Sequence, residues 1–278
     1  MTTLDRDQVL GHLKQLPSLP AAVADLLASF NNEDVDIAVV SNLIARDQGL
    51  TARVLRIANS SFYGLQHKVG SINEAVVVVG FRAIRSMVLA VGINGVFRVD
   101  HCTGFNPQTY LRHSVAVGLA ARSLAQLTGH NPELAFTAGI LHDLGELALA
   151  SNFTVQYAET LAYQRKHDCF LVVAERDILG MDHSEVGGLL ADTWRFPNEL
   201  RQALAEHHSP AAATADSLAD LIHIADSVAH GLGHGPGEMV MPIERVSWER
   251  LHLDGDKIKQ VIAAVTAGMD ETCHALSH

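Results

Sequence analysis

The chain has 278 residues, of which 48% are hydrophobic, 5% are aromatic and 8 are proline, with a formal charge of -11. That length and apolar share support one large core or two lobes, and the scarcity of aromatic residues and prolines favours helices over a sandwich or barrel. The acidic balance argues against broad attraction to nucleic acid or anionic membrane, which needs clustered Lys and Arg.

In chain order, MTTLDRDQVL lacks a basic leader followed by an apolar core, so no signal peptide is expected. Leu16-Pro-Ser-Leu-Pro20 should end one helix and begin another, because Pro fits a first helical turn but not an interior. Asn31-Asn32 should close that second helix. Ile37, Val40 and Ile44, and then Leu50, Val54, Leu55 and Ala58, keep helical spacing. Ser71-Ile-Asn-Glu74 reads as a capping box, with Ser71 accepting from the N3 amide and Glu74 reaching back. The valines 76–79 would suit a strand by propensity, but the cap and the spacing of Phe81, Ile84, Met87, Val88 and Val91 predict helix. Arg82, Arg85 and Asn94 interrupt the apolar stretch 75–96 too often for a bilayer span.

The pattern lapses between Asp100 and Pro107, which marks a junction between an N-terminal helical lobe, 1–104, and a second lobe, 105–278. A helix from 107 to about 127 points His113 inward with Val117, Ala120 and Leu124. The helix opened by Pro132 brings His142-Asp143 to its C-terminal end before Gly145. Asp182 caps a helix that carries His183 in its first turn. A short helix opened by Pro197 finishes at His207-His208, before Ser209-Pro210. Residues 217–230 form an amphipathic helix containing Asp226, 254–276 form the last helix, and the Gly- and Pro-rich 231–245 segment is the loop expected to move most.

Seven groups that bind borderline divalent metals thus fall in the second lobe: His113, His142, Asp143, His183, His207, His208 and Asp226. Sixteen histidines form some adjacent pairs by chance; the ordered set, several members of which sit at helix ends, is what points to a site. Two ions (Fe, Mn, Ni, Co or Zn) would be bridged by Asp143. One would take His113, His142, Asp143 and Asp226, and the other Asp143, His183, His207 and His208. Such pairs lower the pKa of water and serve phosphoester hydrolysis. Cys102, Cys169 and Cys273 lack CxxC spacing, suggest neither disulfides nor structural zinc, and fit a reducing cytoplasm.

The order His113, His142-Asp143, Asp226 resembles the HD superfamily of metal-dependent phosphohydrolases, and His183 and His207-His208 resemble the second-metal ligands of its HD-GYP branch, which hydrolyses cyclic dinucleotides. The wider match is to the HDOD family, the HD-related output domains of bacterial signalling. It rests on Leu16-Pro-Ser-Leu-Pro20, Arg46-Asp-Gln-Gly-Leu-Thr51, Arg56-Ile-Ala-Asn-Ser60, Ser71-Ile-Asn-Glu-Ala75, Gly139-Ile-Leu-His-Asp-Leu-Gly145, His183-Ser-Glu-Val-Gly187, Trp194-Arg-Phe-Pro197 and Glu206-His-His208. The resemblance implies an all-α fold, with an N-terminal helical lobe packed on an HD-like helical domain.

Two departures bear on activity. Where HD-GYP proteins carry His-Asp-x-Gly-Lys, this chain has Glu146, and His208 is followed by Ser-Pro rather than Gly-Tyr-Pro. A glutamate in place of a phosphate-binding lysine swings the interaction by several kcal/mol at about 4 Å and an effective dielectric of about 20. Glu146 is expected as a solvated carboxylate, with metal ligation the alternative. His223 and His230 flank Asp226 on one helix face, as core or surface histidines or as supports for a ligand. Asn59-Ser60, followed by Ser61, is expected to be structural, and Trp194 a packing anchor. The resemblance favours a cytoplasmic regulatory protein that binds a signalling partner or small nucleotide-like ligand, with no nucleic acid and no membrane, and no side chain assigned as catalytic. An active phosphohydrolase is the alternative, and a metal-free scaffold the third reading.

Overall fold

The computed structural model describes residues 3–28, 37–60, 63–210, 217–235 and 239–277, which form helices and no strand. Asn31-Asn32 and Ser61 lie outside the described residues. No helix among the described residues is long and apolar enough to cross a membrane.

The first half holds α1 (Arg6–Leu13), α2 (Ala21–Ala28), α3 (Ile37–Arg46), α4 (Gln48–Ala58), α5 (Ile72–Val79) and α6 (Phe81–Asn94). The proline-bounded break at 16–20 separates α1 from α2, as the missing amide hydrogens require. The valine run is helical, so the cap overrode β propensity: Ser71 accepts from the Glu74 N–H. Glu74 itself accepts from the Gly70 N–H at 2.8 Å rather than from that of Ser71, so the reciprocal bond spans one residue more than a capping box. Asn59 caps α4 and pairs through both amide atoms with the backbone of Val69, at 2.9 and 2.7 Å, which confirms a structural role.

The second half follows as α7 (Pro107–Thr128), α8 (Pro132–Leu141), α9 (Leu144–Asn152), α10 (Thr154–His167), α11 (Leu171–Leu179), α12 (His183–Thr193), α13 (Asn198–Glu206), α14 (Leu218–Gly231), α15 (Arg245–Arg250) and α16 (Gly255–Ser277). Asn106 accepts from the amides of Gln108 and Thr109 ahead of Pro107, so α7 starts as its sequence dictates; Gly129, at φ +81°, ends it. Val115, Ala116, Val117, Ala120 and Leu124 are buried, and α7 is the axis against which α8, α14 and α16 pack. Each of its large apolar side chains contributes about 1.5–3 kcal/mol by leaving water.

The sequence set no expectation for α10 and α11. His142-Asp143 does fall at the C-terminal end of α8, as the sequence predicts; unforeseen is that the chain turns there directly into α9, with Asp143 at the N-cap and without a side-chain capping bond. Two glycine contacts make that turn possible. A Cβ on Gly139 would lie 2.7 Å from the Cα of Gly118, so α8 crosses α7 backbone to backbone. A Cβ on Gly145 would overlap the His183 carbonyl oxygen, so α9 presses on the start of α12.

The halves meet where α6 packs on α8 and α4 on α16. Glu133 joins them: it pairs with Arg122 at 2.8 Å, accepts from the Tyr63 hydroxyl, and its carbonyl accepts from Ser86 Oγ. Trp194 stacks on Phe196 and meets the tilted ring of Phe97, the expected anchor.

Gly145→Ala should therefore destabilise the fold by at least about 3 kcal/mol in urea unfolding, the upper range for overpacking. Gly11→Ala, in open space within α1, should be neutral or stabilising. Equal midpoints for the two variants would contradict the close α9–α12 approach.

Candidate metal centre

All seven sequence-derived residues converge on one point. His113 comes from α7, His142 and Asp143 from the α8–α9 turn, His183 from the first turn of α12, His207 and His208 from the end of α13, and Asp226 from α14. Asp143 lies at the centre and is buried. Its Oδ2 is 3.0 Å from His142 Nε2 and 3.4 Å from His113 Nε2, while Oδ1 is 3.3 Å from His183 Nε2 and 3.5 Å from His207 Nε2. Each carboxylate oxygen therefore faces its own imidazole set. Asp226 Oδ1 lies 3.1 Å from His113 Nε2 and 3.4 Å from His230 Nε2.

Hydrogen bonds at the outer ring nitrogens decide what these imidazoles present. His142 Nδ1 lies 2.8 Å from the Gly139 carbonyl and His207 Nδ1 3.0 Å from that of Leu204. Carbonyls only accept, so both Nδ1 atoms carry hydrogen and, in the neutral rings, both Nε2 atoms turn lone pairs inward. His142 Nε2, His207 Nε2 and Asp226 Oδ1 are buried with no hydrogen-bond partner despite carboxylate and imidazole atoms close by. Acceptors facing acceptors need a cation between them. Three groups offer donor atoms within 4.8 Å of one another: Asp143 with His183, His207 and His208; His113 with His142 and Asp143; and His113 with Asp226 and His230. Imidazole nitrogens and carboxylate oxygens in these sets fit borderline divalent ions.

Charge follows the same geometry. Burial disfavours the His113 imidazolium, but Asp143 and Asp226 more than offset it and raise its pKa to about 10. Burial likewise works against the His183 cation, and Glu175 and Asp143 drive its pKa well above the ordinary value. Burial would raise Asp143, yet the surrounding histidines hold it well below the usual range. His208 lies 2.8 Å from His183 through the two Nε2 atoms; burial and then His207 push it well down, so His183 supplies the shared proton. Without metal, then, protons hold the cluster together.

Sequence reasoning missed several members. Glu175, on α11, accepts at Oε2 from the His183 backbone N–H at 2.9 Å and from His183 Nδ1 at 2.7 Å, and at Oε1 from the Tyr157 hydroxyl at 3.1 Å. It fixes the ring so that Nε2 points into the centre, the usual carboxylate support for a ligating histidine. His223 is a buried core histidine: its Nδ1 donates to the His207 carbonyl and its Nε2 accepts from the Glu244 N–H. His230 was expected only as a support or a bystander, and it stands within the donor set of His113 and Asp226. Its position one turn beyond Asp226 was the available signal. Glu146 corrects an expectation. It is 94% buried rather than solvated, because α9 begins inside the fold, and burial followed by the Asp143 charge raises its pKa well above the ordinary value. It lines the cavity above the cluster and lies outside every donor group.

The HDOD domain profile matches residues 16–210. The chain belongs to the HDOD family. A structure of an HDOD domain protein of unknown function from Geobacter sulfurreducens is 25% identical, with a TM-score of 0.80 over 99% of each chain. A protein from Shewanella amazonensis, provisionally named a phosphohydrolase, is 30% identical with a TM-score of 0.77, over 96% of this chain and 97% of its own. An uncharacterised protein of Treponema pallidum is 25% identical over 210 residues, 75% of this HDOD chain but 40% of that relative. The chain spans well under half the length of the curated relatives it matches.

Two outcomes follow from the proton-held cluster. Glu175→Gln should weaken metal affinity about 10- to 100-fold in a chelator competition, with the fold intact by circular dichroism. Metal loading must displace the His113 proton, so apparent affinity should rise about tenfold per pH unit between 6 and 8, with proton release measurable calorimetrically in two buffers. A flat profile would show that His113 is not a ligand.

Proposed function

We infer that this HDOD chain is a regulatory signalling domain whose cluster holds two divalent ions bridged by Asp143, and that it acts by binding a small nucleotide-like anion or a partner protein. One observation carries the metal reading: the two oxygens of a single buried carboxylate face separate pairs of imidazoles, and each pair includes one ring, His142 or His207, whose inward atom is a lone pair without a partner. One ion would be held by His113, His142, Asp143 and Asp226, with His230 in reach; the other by Asp143, His183, His207 and His208. Bound ions would supply positive charge that polarises a phosphoryl group. The chain's own residues do the rest. Glu175 and the carbonyls of Gly139 and Leu204 lock the rings, His223 steadies the His207 backbone, and the helices shut out water from below.

The regulatory reading rests on Glu146 at the cavity wall, where the HD-GYP resemblance would put a phosphate-binding lysine. A buried carboxyl offers an anion no attraction, so ligand binding without fast turnover is expected. Hydrolysis remains the second reading, supported by a donor set that opens onto a cavity of about 250 Å³. The formal charge of -11 supports a partner that is neither nucleic acid nor membrane, and Cys102, Cys169 and Cys273, which form no disulfide, suit the cytoplasm.

Untagged protein should carry close to two equivalents of metal by mass spectrometry and turn over neither a generic phosphodiester nor cyclic dinucleotides at enzymatic rates. Turnover that His207→Ala abolishes would establish the hydrolase; absence of metal would remove both readings. Asp143→Asn should lose metal more completely than His183→Ala, and equal retention would sink the bridging role.

A further inference from the structure

The cluster forms the floor of the 250 Å³ cavity, which adjoins a second of about 130 Å³ beside α7. Among the residues lining the two, Arg165 is the single lysine or arginine, against the carboxyl groups of Asp143, Glu146, Asp168 and Asp226. Arg165 stands in the last turn of α10, borders both cavities, is exposed, and makes no ion pair with a described residue. The edge of its guanidinium formed by the two terminal nitrogens faces Gly104, at φ +89°, where a Cβ would sit 2.9 and 3.0 Å from them and 3.4 Å from Cζ. The backbone thus clears a place for this cation, in a conformation that itself favours glycine. Phe170, Met239 and Met241 supply apolar lining to the same cavity.

A guanidinium presents paired N–H donors that match a phosphate edge, and this one, at a cavity mouth in an acidic protein, has no ion-pair partner among the described residues to explain it. The volume sits near the low end of ligand pockets, which run from roughly 300 to 1,000 Å³, and suits one nucleotide-sized body better than two. We propose that Arg165 is the anion-recognising residue of this site, that it selects a ligand carrying a phosphate on an apolar, nucleoside-like body, and that Gly104 is its positioning residue. The proposal deepens the metal-centre reading, which supplies the second attachment point of the ligand.

Calorimetric titration of the full chain with inorganic phosphate and with adenosine monophosphate tests it, on metal-loaded and on chelator-treated protein. Arg165→Gln should weaken both probes at least about tenfold with metal content unchanged, and Arg165→Lys should fall between, since an ammonium lacks the paired edge. Gly104→Ala should weaken binding alone but add nothing to Arg165→Gln; an additive loss would make Gly104 merely structural and remove its role. Wild-type affinity in Arg165→Gln, or no binding of either probe to the wild type in both forms, would overturn the proposal. Failure of the metal reading looks different: protein that purifies without metal while still showing Arg165-dependent phosphate binding.

Discussion

The carboxylate of Asp143 is the constraint around which the second half of the chain is arranged. A buried carboxylate is costly unless compensated, and here the compensation comes from four imidazoles delivered by α7, the α8–α9 turn, α12 and α13. Two of those rings have given their Nδ1 hydrogens to backbone carbonyls and cannot donate inward while neutral. Positive charge must enter the centre, as protons or as metal. The glycine contacts at 118, 139 and 145 serve the same end, because without them α8 and α9 would stand too far from α7 and α12 for the groups to meet.

Most of the cluster was legible because its signals are local. Asn106-Pro107, Asn131-Pro132, Asp182 and Ser217 are caps that fix where helices begin, and once those starts are known the inward faces follow from helical period. The valines of α5 read correctly for the same reason: a cap outweighed a weak β preference. Glu175 was illegible because its bond to His183 crosses the α11–α12 turn, a tertiary relation with no period to betray it. The α8–α9 turn was read as an end because Gly145 looks like a helix stop; its actual task is to make room for the His183 carbonyl. Glu146 was misplaced by residue type alone, since glutamates are seldom buried, and only the early start of α9 puts this one inside.

Burial of Glu146 changes what its substitution for a lysine means. A solvated glutamate would repel a phosphate; a buried one beside the Asp143 carboxylate has its pKa driven up by desolvation and then by that neighbour, which disfavours its charged form. The cation of the lysine is lost, and burial opposes the anion in its place. The several kcal/mol of a full charge reversal is therefore an upper bound for this exchange.

That relocates the question of specificity from the floor of the site to its edge. The floor offers a pair of imidazoles to each oxygen of Asp143, and charge of that kind has reach but little shape. Shape resides where α10 ends: Gly104 lies against the Arg165 guanidinium, and Phe170, Met239 and Met241 line the same cavity. Met239 and Met241 are remote from Arg165 in sequence and belong to the irregular stretch before α15 rather than to the helical scaffold. A scaffold that fixes charge and a rim that fixes shape can diverge independently. The proposed ligand would therefore follow the rim rather than the histidines and aspartates that a relative could share.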